Sequence, residues 1–454
     1  MSLSVIILAA GQSKRMRTTT SKVLHPLGGI PMIERVINTA RELNPNNIYV
    51  VYGNGGSQVK ELMQHLPVQW IKQENQLGTG HAVLQALPNI TKDEQVLVLY
   101  GDVPLITKET LQQLLKETAN NAIGILVANL KHPAGYGRVL RNKKGNIIAI
   151  VEEKDTNAKQ KKITEINTGI LIAQTKLLKK WLPKVKNNNV QSEYYLPDII
   201  PLAVKEKKKV VGVISNSVEE TQGINNRVEL AKLERYYQTR AAQQLMLQGV
   251  SIIDPQRFDL RGELIAEQDV TIDINVVIEG KVSIGAGSKI GPNVILRNAV
   301  IGKNVEILPN SMVDDAKIAD QCKIGPFARI RPGTELAENV HVGNFVELKK
   351  SKLGAGSKAN HLSYLGDAVI GKNVNVGAGV ITCNYDGVSK YQTTIMDGAF
   401  IGSDSQLIAP VTIGEKAYIG SGSTISHHAP AGKLTLSRAK QVTLENWKAP
   451  IKKS

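Results

Sequence analysis

Residues 318–348 read IADQCKIGPFARIRPGTELAENVHVGNFVEL, with an aliphatic residue at every sixth position: Ile318, Ile324, Ile330, Leu336, Val342 and Leu348. A six-residue period matches neither the 3.6-residue turn of an α-helix nor the two-residue alternation of a strand. It is the period of a parallel β-helix, in which each hexad makes one short flat side of a three-sided coil. The aliphatic residue fills the tube. Glycine directly after Ile324 and Val342, and after Ile284, Ile290, Ile301, Leu353, Leu365, Ile370, Val376, Ile401, Ile413 and Ile419, lets the chain turn a corner with no Cβ in the way. The stride extends back through Ile278, Ile284, Ile290 and Leu296, and forward through Ile401, Leu407, Ile413, Ile419 and Ile425. It breaks between Val376 and Ile401, across CNYDGVSKYQTTIMDG, and an excursion from a solenoid is a natural binding loop.

Upstream the pattern changes. Val5–Ala9, Ile48–Tyr52, Val96–Leu99, Ile123–Val127, Ile147–Val151 and Val210–Ile214 read as strands, alternating with helical stretches such as Met32–Glu42, Gly80–Leu87 and Lys108–Glu117. That alternation predicts an α/β domain with a largely parallel sheet. Residues 225–248 predict one long helix, with Val228, Leu233, Tyr237, Ala241 and Leu245 near one face and Gly249 as its stop. The expected organisation is therefore an α/β domain over 1–224, a linker helix over 225–249 and a hexapeptide-repeat domain over 250–454. The hexads are expected to end near Ile425, with the tail from His427 to Ser454 capping or leaving the coil.

With 454 residues the chain is long enough for two or three such domains, and its 42% hydrophobic and 21% charged content is globular. Aromatic content of only 4% suits a tube filled by Ile, Val and Leu. Two cysteines, Cys322 and Cys383, make no disulfide framework and suggest a reducing, cytoplasmic setting. The apolar run Val5–Ala10 is too short to span a bilayer and has no basic residue before it, so it reads as a buried strand. Net charge is +16, concentrated in residues 1–250, where 33 Lys+Arg face 20 Asp+Glu. Neither aromatic platforms nor a nucleic-acid-binding module accompany it, and anionic small substrates account for it equally well.

Two stretches of the first domain carry chemistry. The first strand runs into LAAGQSKRM (8–16), followed by Lys22. Glycine and small residues there leave backbone N–H groups free to face phosphate oxygens, with Arg15 and Lys22 adding positive charge. The glycine spacing is neither that of the Walker loop nor that of the dinucleotide fingerprint, and alone it is equally a tight turn. VLVLYGDVPL (96–105) delivers Asp102 to the carboxyl end of a strand, where open α/β sheets bind ligands. A carboxylate there suits Mg²⁺, which takes few protein ligands besides phosphates and water, although a turn or helix-cap role is the plainer alternative. Between them, QENQLGTGHA (73–82) offers close backbone approach at Gly78 and Gly80 and an amide, Gln73, able to read a base edge.

In this order, and with GYGRV (135–139), VEEKD (151–155), EINTGI (165–170), EYYLPDII (193–200) and GINNR (223–227), the first half resembles sugar-1-phosphate nucleotidylyltransferases. More closely, it resembles the uridylyltransferase half of the bifunctional N-acetylglucosamine-1-phosphate uridylyltransferase/glucosamine-1-phosphate N-acetyltransferase family. The resemblance implies a Rossmann-like fold in which Leu8, Ala9, Ala10, Gly11, Lys22, Gln73, Gly78, Thr79, Tyr100, Gly101 and Asp102 hold UTP, with uracil on Gln73, Gly78 and Thr79. Gly137, Glu152 and Asn167 are implied to hold N-acetylglucosamine, Asp102 and Asn225 to ligate Mg²⁺, and Arg15 and Lys22 to assist transfer. Three positions depart from the family pattern: Lys14 stands where a small hydroxyl residue is usual, Ser21 where proline is usual, and Pro197 where threonine is common.

RIRPG (329–333), NFVELKKSKLG (344–354), NHLSYLGD (360–367), GKNVNVGAG (371–379) and CNYDGVSK (383–390) extend the resemblance to the acetyltransferase half, and so to essentially the whole chain. It implies a left-handed parallel β-helix, glucosamine-1-phosphate on Arg331, Lys349, Tyr364, Asn375 and Lys390, and His361 as general base. Neutral imidazole suits that task near neutral pH. Acetyl-CoA is implied to lie on Ala378, Asn384, Tyr385, Ser403, Ser421 and Arg438. The family assembles as a trimer with acetyltransferase sites between β-helices, which makes Lys390 an expected contribution from a neighbouring chain. The implied activities acetylate glucosamine-1-phosphate and then form UDP-N-acetylglucosamine, a precursor of peptidoglycan and lipopolysaccharide. Two alternatives remain at this level: another sugar nucleotidylyltransferase with a structural hexapeptide tail, and a non-catalytic binding subunit on the same two domains.

Overall fold

The computed structural model describes residues 2–11, 14–53, 56–119 and 121–450, and divides into two compact units, Met1–Tyr237 and Gln238–Ser454. The first is built on a mixed sheet whose strands lie in the order Val210–Ile214, Ile123–Asn129, Glu165–Gln174, Gln95–Tyr100, Leu3–Ala9, Asn47–Gly53, Gln69–Gln73. Leu3–Ala9 is parallel to both of its neighbours, whereas Glu165–Gln174 runs antiparallel to both of its own. A hairpin of Gly137–Arg141 and Ile147–Val151 joins through Glu165–Gln174.

Every residue of Leu3–Ala9 is buried, which explains why it reads as a continuous apolar run. Ile6 and Leu8 pack on one face with Val83 and Ala86 of helix Thr79–Ala86, while Val5, Ile7 and Ala9 pack on the other with Ile33 and Val36 of helix Met32–Arg41. Leu8 and Tyr100 are register partners, and the Gly101 N–H donates to Leu8 O at 3.0 Å. The loops after these two strands therefore leave the sheet side by side.

In the second unit three columns of aliphatic residues stack along the coil, one residue per turn from each side. One column runs Ile272, Ile290, Ile307, Ile324, Val342, Ala359, Val376, Ile401, Ile419 through parallel pairings. The second includes Ile278, Leu296, Val313 and Ile330, and the third Ile284, Ile301, Ile318 and Leu336. The residues named in all three columns are buried in one continuous core. Between Val376 and Ile401 the extra residues form a small excursion closed by an antiparallel bridge of Tyr385 with Lys390.

Two expectations are corrected. In helix Arg227–Leu247, Leu233, Ala241 and Leu245 are buried, but Val228 is 80% exposed, because the first turn has nothing packed on that side. The coil also outlasts Ile425: Ala429 is buried against the core and Leu434–Thr435 pairs with Tyr418–Ile419. Beyond it, residues 436–450 have no regular secondary structure. The side chain of Lys14 and residues 451–454 lie outside the described residues.

Candidate active sites

A cleft of about 440 Å³ opens at the carboxyl ends of the adjacent strands, lined by Leu8, Ala9, Ala10, Gly11, Lys22, Gln73, Gly78, Thr79, Tyr100 and Asp102 among the expected residues. Gln76 and Glu193 also line it. Sequence reading passed over both. The Gln76 amide donates to Ala10 O at 2.5 Å and so braces the glycine loop from behind. Gly78 is obligatory where it stands: its φ is +109°, and a Cβ there would sit 2.7 Å from Tyr194 O. The Thr79 hydroxyl accepts from Leu196 N–H at 3.0 Å and also meets the Tyr100 phenol.

At the cleft wall four charged or polar side chains meet. The Lys22 ammonium donates to Asp102 Oδ2, and at 3.0 Å to Asn225 Oδ1. Arg15 Nη2 donates to the same Asn225 oxygen at 2.8 Å. Asn225 is set by its own backbone N–H, which donates to Glu229 Oε2 at 2.7 Å, and by Ile224 N–H donating to Asp102 O at 2.9 Å. Four residues distant in sequence thus share one oxygen-and-nitrogen cluster. Among the described residues there is no group of three or more His, Cys, Asp or Glu side chains able to hold a metal.

Gly137, Glu152 and Asn167 lie in the hairpin region. A Cβ on Gly137 would come within 3.0 Å of Glu152 Oε1, so glycine keeps the space before that carboxylate open. Burial first, then the negative charges of Asp198, Asp155 and Glu193, push the Glu152 carboxyl up to about 7, with Arg138 opposing. Burial and Asp155 push Asp198 up to about 6. The strand register slips between Asn167 and Leu171, and Asn167 Oδ1 accepts from Gly169 N–H at 3.1 Å within that slip. Slips of this kind re-aim side chains, and a two-residue alternation does not reveal them.

The second cluster lies on the coil. Asn344 and His361 are register partners on adjacent turns, and His361 Nδ1–H donates to Asn344 Oδ1 at 3.0 Å. The other ring nitrogen, Nε2, is then the basic one. Asn344 was not singled out from the sequence; the 17-residue spacing that places it beside His361 one turn later is the signal that finds it. Lys390 approaches Lys349 of its own chain closely enough to hold that ammonium below its usual value, with Arg331 adding to the effect and Asp367 opposing it. Arg331 Nη1 also donates to Glu347 Oε1 at 2.6 Å. Lys390, expected at the site of a neighbouring chain, thus also stands beside Lys349 of its own.

Tyr364 folds back over Gly366, where a Cβ would meet the phenol oxygen. Asn375 lies on the strand next to the one that carries His361, paired in register with Lys358 and Phe400. Asn384 is buried and donates to Asp367 Oδ2, while Tyr385, 59% exposed, donates from its hydroxyl to Gly387 O at 2.5 Å. Ala378, Ser403 and Ser421 occupy equivalent corners of successive turns, linked by Asp404 N–H to Ala378 O at 2.7 Å and Gly422 N–H to Ser403 O at 2.8 Å. Arg438 ends this column, its Nη1 donating to Ser421 O at 2.9 Å.

Comparison with known proteins agrees with this division. The MobA-like NTP transferase domain matches residues 5–160, the GMPPB C-terminal domain residues 260–355, and the bacterial transferase hexapeptide (six repeats) residues 392–427. The hexapeptide match and the parallel pairing along the coil are consistent with a left-handed β-helix. A nucleotidyl transferase from Methanothermobacter thermautotroptrophicus superposes on 52% of this chain and 97% of its own, with 19% identity and a TM-score of 0.38. The bifunctional protein GlmU of Coxiella burnetii strain Dugway 5J108-111 is 59% identical over 100% of both chains, and that of strain RSA 493 / Nine Mile phase I is 58% identical over the same span. With both clusters carried on one chain and likeness that runs unbroken from end to end, the protein belongs to the bifunctional GlmU family.

Proposed function

We propose that the coil site acetylates glucosamine-1-phosphate from acetyl-CoA and that the cleft of the first unit then joins the product to UMP from UTP. The observation that carries this reading is the meeting of Lys22, Asp102, Asn225 and Arg15 at the mouth of a cleft lined by the glycine loop. An inert binding module has no use for that cluster, and a purely structural tail has none for the Asn344–His361 pair.

In the cleft the phosphate oxygen of N-acetylglucosamine-1-phosphate attacks the α-phosphorus of UTP, and the bond to pyrophosphate breaks. Such transfer asks the protein for alignment and charge neutralisation rather than covalent work. Arg15 and Lys22 supply fixed positive charge, the loop at Ala10 and Gly11 supplies backbone donors, and Gly137, Glu152 and Asn167 receive the sugar. Asp102 Oδ2 and Asn225 Oδ1 already converge on a cation, the Lys22 ammonium, and this pair of hard oxygens fits Mg²⁺. When bound, the ion supplies charge neutralisation on the phosphates; the residues holding it would be Asp102 and Asn225.

On the coil the amine of glucosamine-1-phosphate attacks the thioester carbonyl, its proton passes to His361 Nε2, and the CoA thiolate leaves. Lys349, Lys390 and Arg331 attract the sugar phosphate. Asn384, Tyr385 and the Ala378–Ser403–Ser421 column with Arg438 form the track for acetyl-CoA.

A homotrimer completes the reading. Phe327, Phe345 and Leu362 hold successive corners at φ of +55°, +56° and +49°, a backbone region that costs bulky residues on the order of 1 kcal/mol each. All three are about half exposed or more, the two rings stack at 5.3 Å between centroids, and Leu362 directly follows His361. Such a column beside a site is accounted for when a second copy covers it. No described helix is long and apolar enough to cross a membrane. The two free cysteines, together with substrates that are cytoplasmic metabolites, support a cytoplasmic location. The test supplies glucosamine-1-phosphate, acetyl-CoA, UTP and Mg²⁺ and follows free thiol and pyrophosphate separately. Both should appear, pyrophosphate only after thiol; one product without the other refutes the two-site assignment.

A further inference from the structure

His81 stands in helix Thr79–Ala86, behind the cleft and absent from its lining, whereas Gln73 faces into it. The Gln73 side chain is only 2% exposed, so its amide must find partners in protein or substrate. Its Nε2 lies 2.9 Å from His81 Nδ1 and 3.4 Å from Gly78 O. A backbone carbonyl only accepts, so the NH₂ end of the amide faces that side. One hydrogen points to Gly78 O and the other to the Nδ1 lone pair, which makes His81 neutral with its proton on Nε2. Gln85 Nε2 lies 3.3 Å from that Nε2 and donates at 3.4 Å to His81 O, so giving the ring proton an acceptor means turning the Gln85 amide over at the cost of this one long bond, whereas the Gln73 contact at 2.9 Å is the shorter of the two and sets the tautomer. Burial holds the His81 imidazole below its usual value, on the neutral side.

With both hydrogens occupied, Gln73 presents Oε1, a bare acceptor. Uracil carries a donor, the N3–H imide, where cytosine carries an acceptor. We infer that His81 is a positioning residue that locks the Gln73 amide with its oxygen toward the base, and so makes the cleft choose uridine over cytidine triphosphate. This rests on the proposed reading of Gln73 as the base-contacting residue. Without the Nδ1 acceptor the amide keeps only the long bond to Gly78 O and turns over freely; reversed, it repels uracil N3–H and accommodates cytosine N3.

The experiment compares His81→Leu, His81→Asn and Gln73→Ala in the full chain, measuring kcat and KM for UTP and for CTP by pyrophosphate release. His81→Leu should raise KM for UTP roughly tenfold, the effect of one oriented buried hydrogen bond. Its kcat at saturating UTP should stay near wild type, and the ratio of UTP to CTP kcat/KM should narrow. His81→Asn, whose Oδ1 can stand near the lost Nδ1, should recover most of the preference. An unchanged UTP-to-CTP ratio in His81→Leu, with that ratio lost in Gln73→Ala, overturns the inference alone. An unchanged ratio in Gln73→Ala overturns the base-reading assignment on which it stands. Equal collapse of kcat in both His81 variants assigns His81 a merely structural role and overturns the inference as well.

Discussion

Replacing Asn344 by alanine removes the partner of His361 Nδ1 without touching the ring nitrogen that takes the proton. The bond is 3.0 Å long and the histidine is exposed, so its net worth is that of an ordinary hydrogen bond, about 1 kcal/mol. By transition-state arithmetic that is roughly a fivefold loss, and freeing the ring to rotate or to carry its proton on Nε2 deepens it toward tenfold or somewhat more. The loss should fall on kcat for acetyl transfer. Affinity for glucosamine-1-phosphate, which we propose rests on Lys349, Lys390 and Arg331, should barely move. The double variant Asn344→Ala/His361→Ala separates action through the ring from action beside it. It should be no slower than His361→Ala, itself expected to lose about 10² to 10⁴ in rate. Thiol release at saturating acetyl-CoA measures all three. A wild-type kcat in Asn344→Ala, or additive losses in the double variant, would refute the claim that Asn344 acts through His361.

Asp102→Ala should cut pyrophosphate release by about 10³ or more while thiol release continues at the wild-type rate, as separate assays on one preparation will show. Gly343→Ala should abolish most acetyl transfer, because the new Cβ would clash with Asn360 O and displace the backbone next to His361. Glu152 is raised from 4.5 to about 7 in the folded protein, so its contribution to stability is fully present below pH 4.5 and is lost as pH rises through about 7. Thermal melts should show this loss, at most about 3 kcal/mol, in wild type and not in Glu152→Gln. Phe327→Asn/Phe345→Asn suits the left-handed corners better and should fold, but sedimentation should find its assembly weakened relative to wild type.

The coil was legible because each of its sides repeats one demand, an inward aliphatic residue every sixth position, and the columns through Ile324 and Ile330 meet it turn after turn. Strand Leu3–Ala9 was legible for a similar reason, burial on both faces. Strand Glu165–Gln174 was recognised only as the motif EINTGI, since its slipped register destroys the alternation that marks a strand. Gln76, Asn344 and His81 were missed because each acts on another side chain or on the loop backbone, and sequence spacing does not reveal contacts that the fold creates. Val228 was misplaced because helical periodicity specifies a face, not whether anything packs against it.

The two sites handle phosphate with opposite electrostatics. In the cleft, Lys22 is drawn to Asp102 and Asn225, so positive charge is held in place by the two oxygens we propose as ligands for Mg²⁺. A triphosphate in the cleft would offer the Lys22 ammonium phosphate oxygens in exchange for this carboxylate, leaving Asp102 and Asn225 as the residues that would hold Mg²⁺. On the coil, Lys349 and Lys390 face each other and their mutual repulsion exceeds the relief from Asp367. A sugar phosphate between the two ammoniums would relieve that repulsion. A monophosphate that brings no metal would meet an excess of cations, and a triphosphate that brings one would meet a carboxylate. The charge pattern of each half therefore matches the ionic form in which its own substrate arrives.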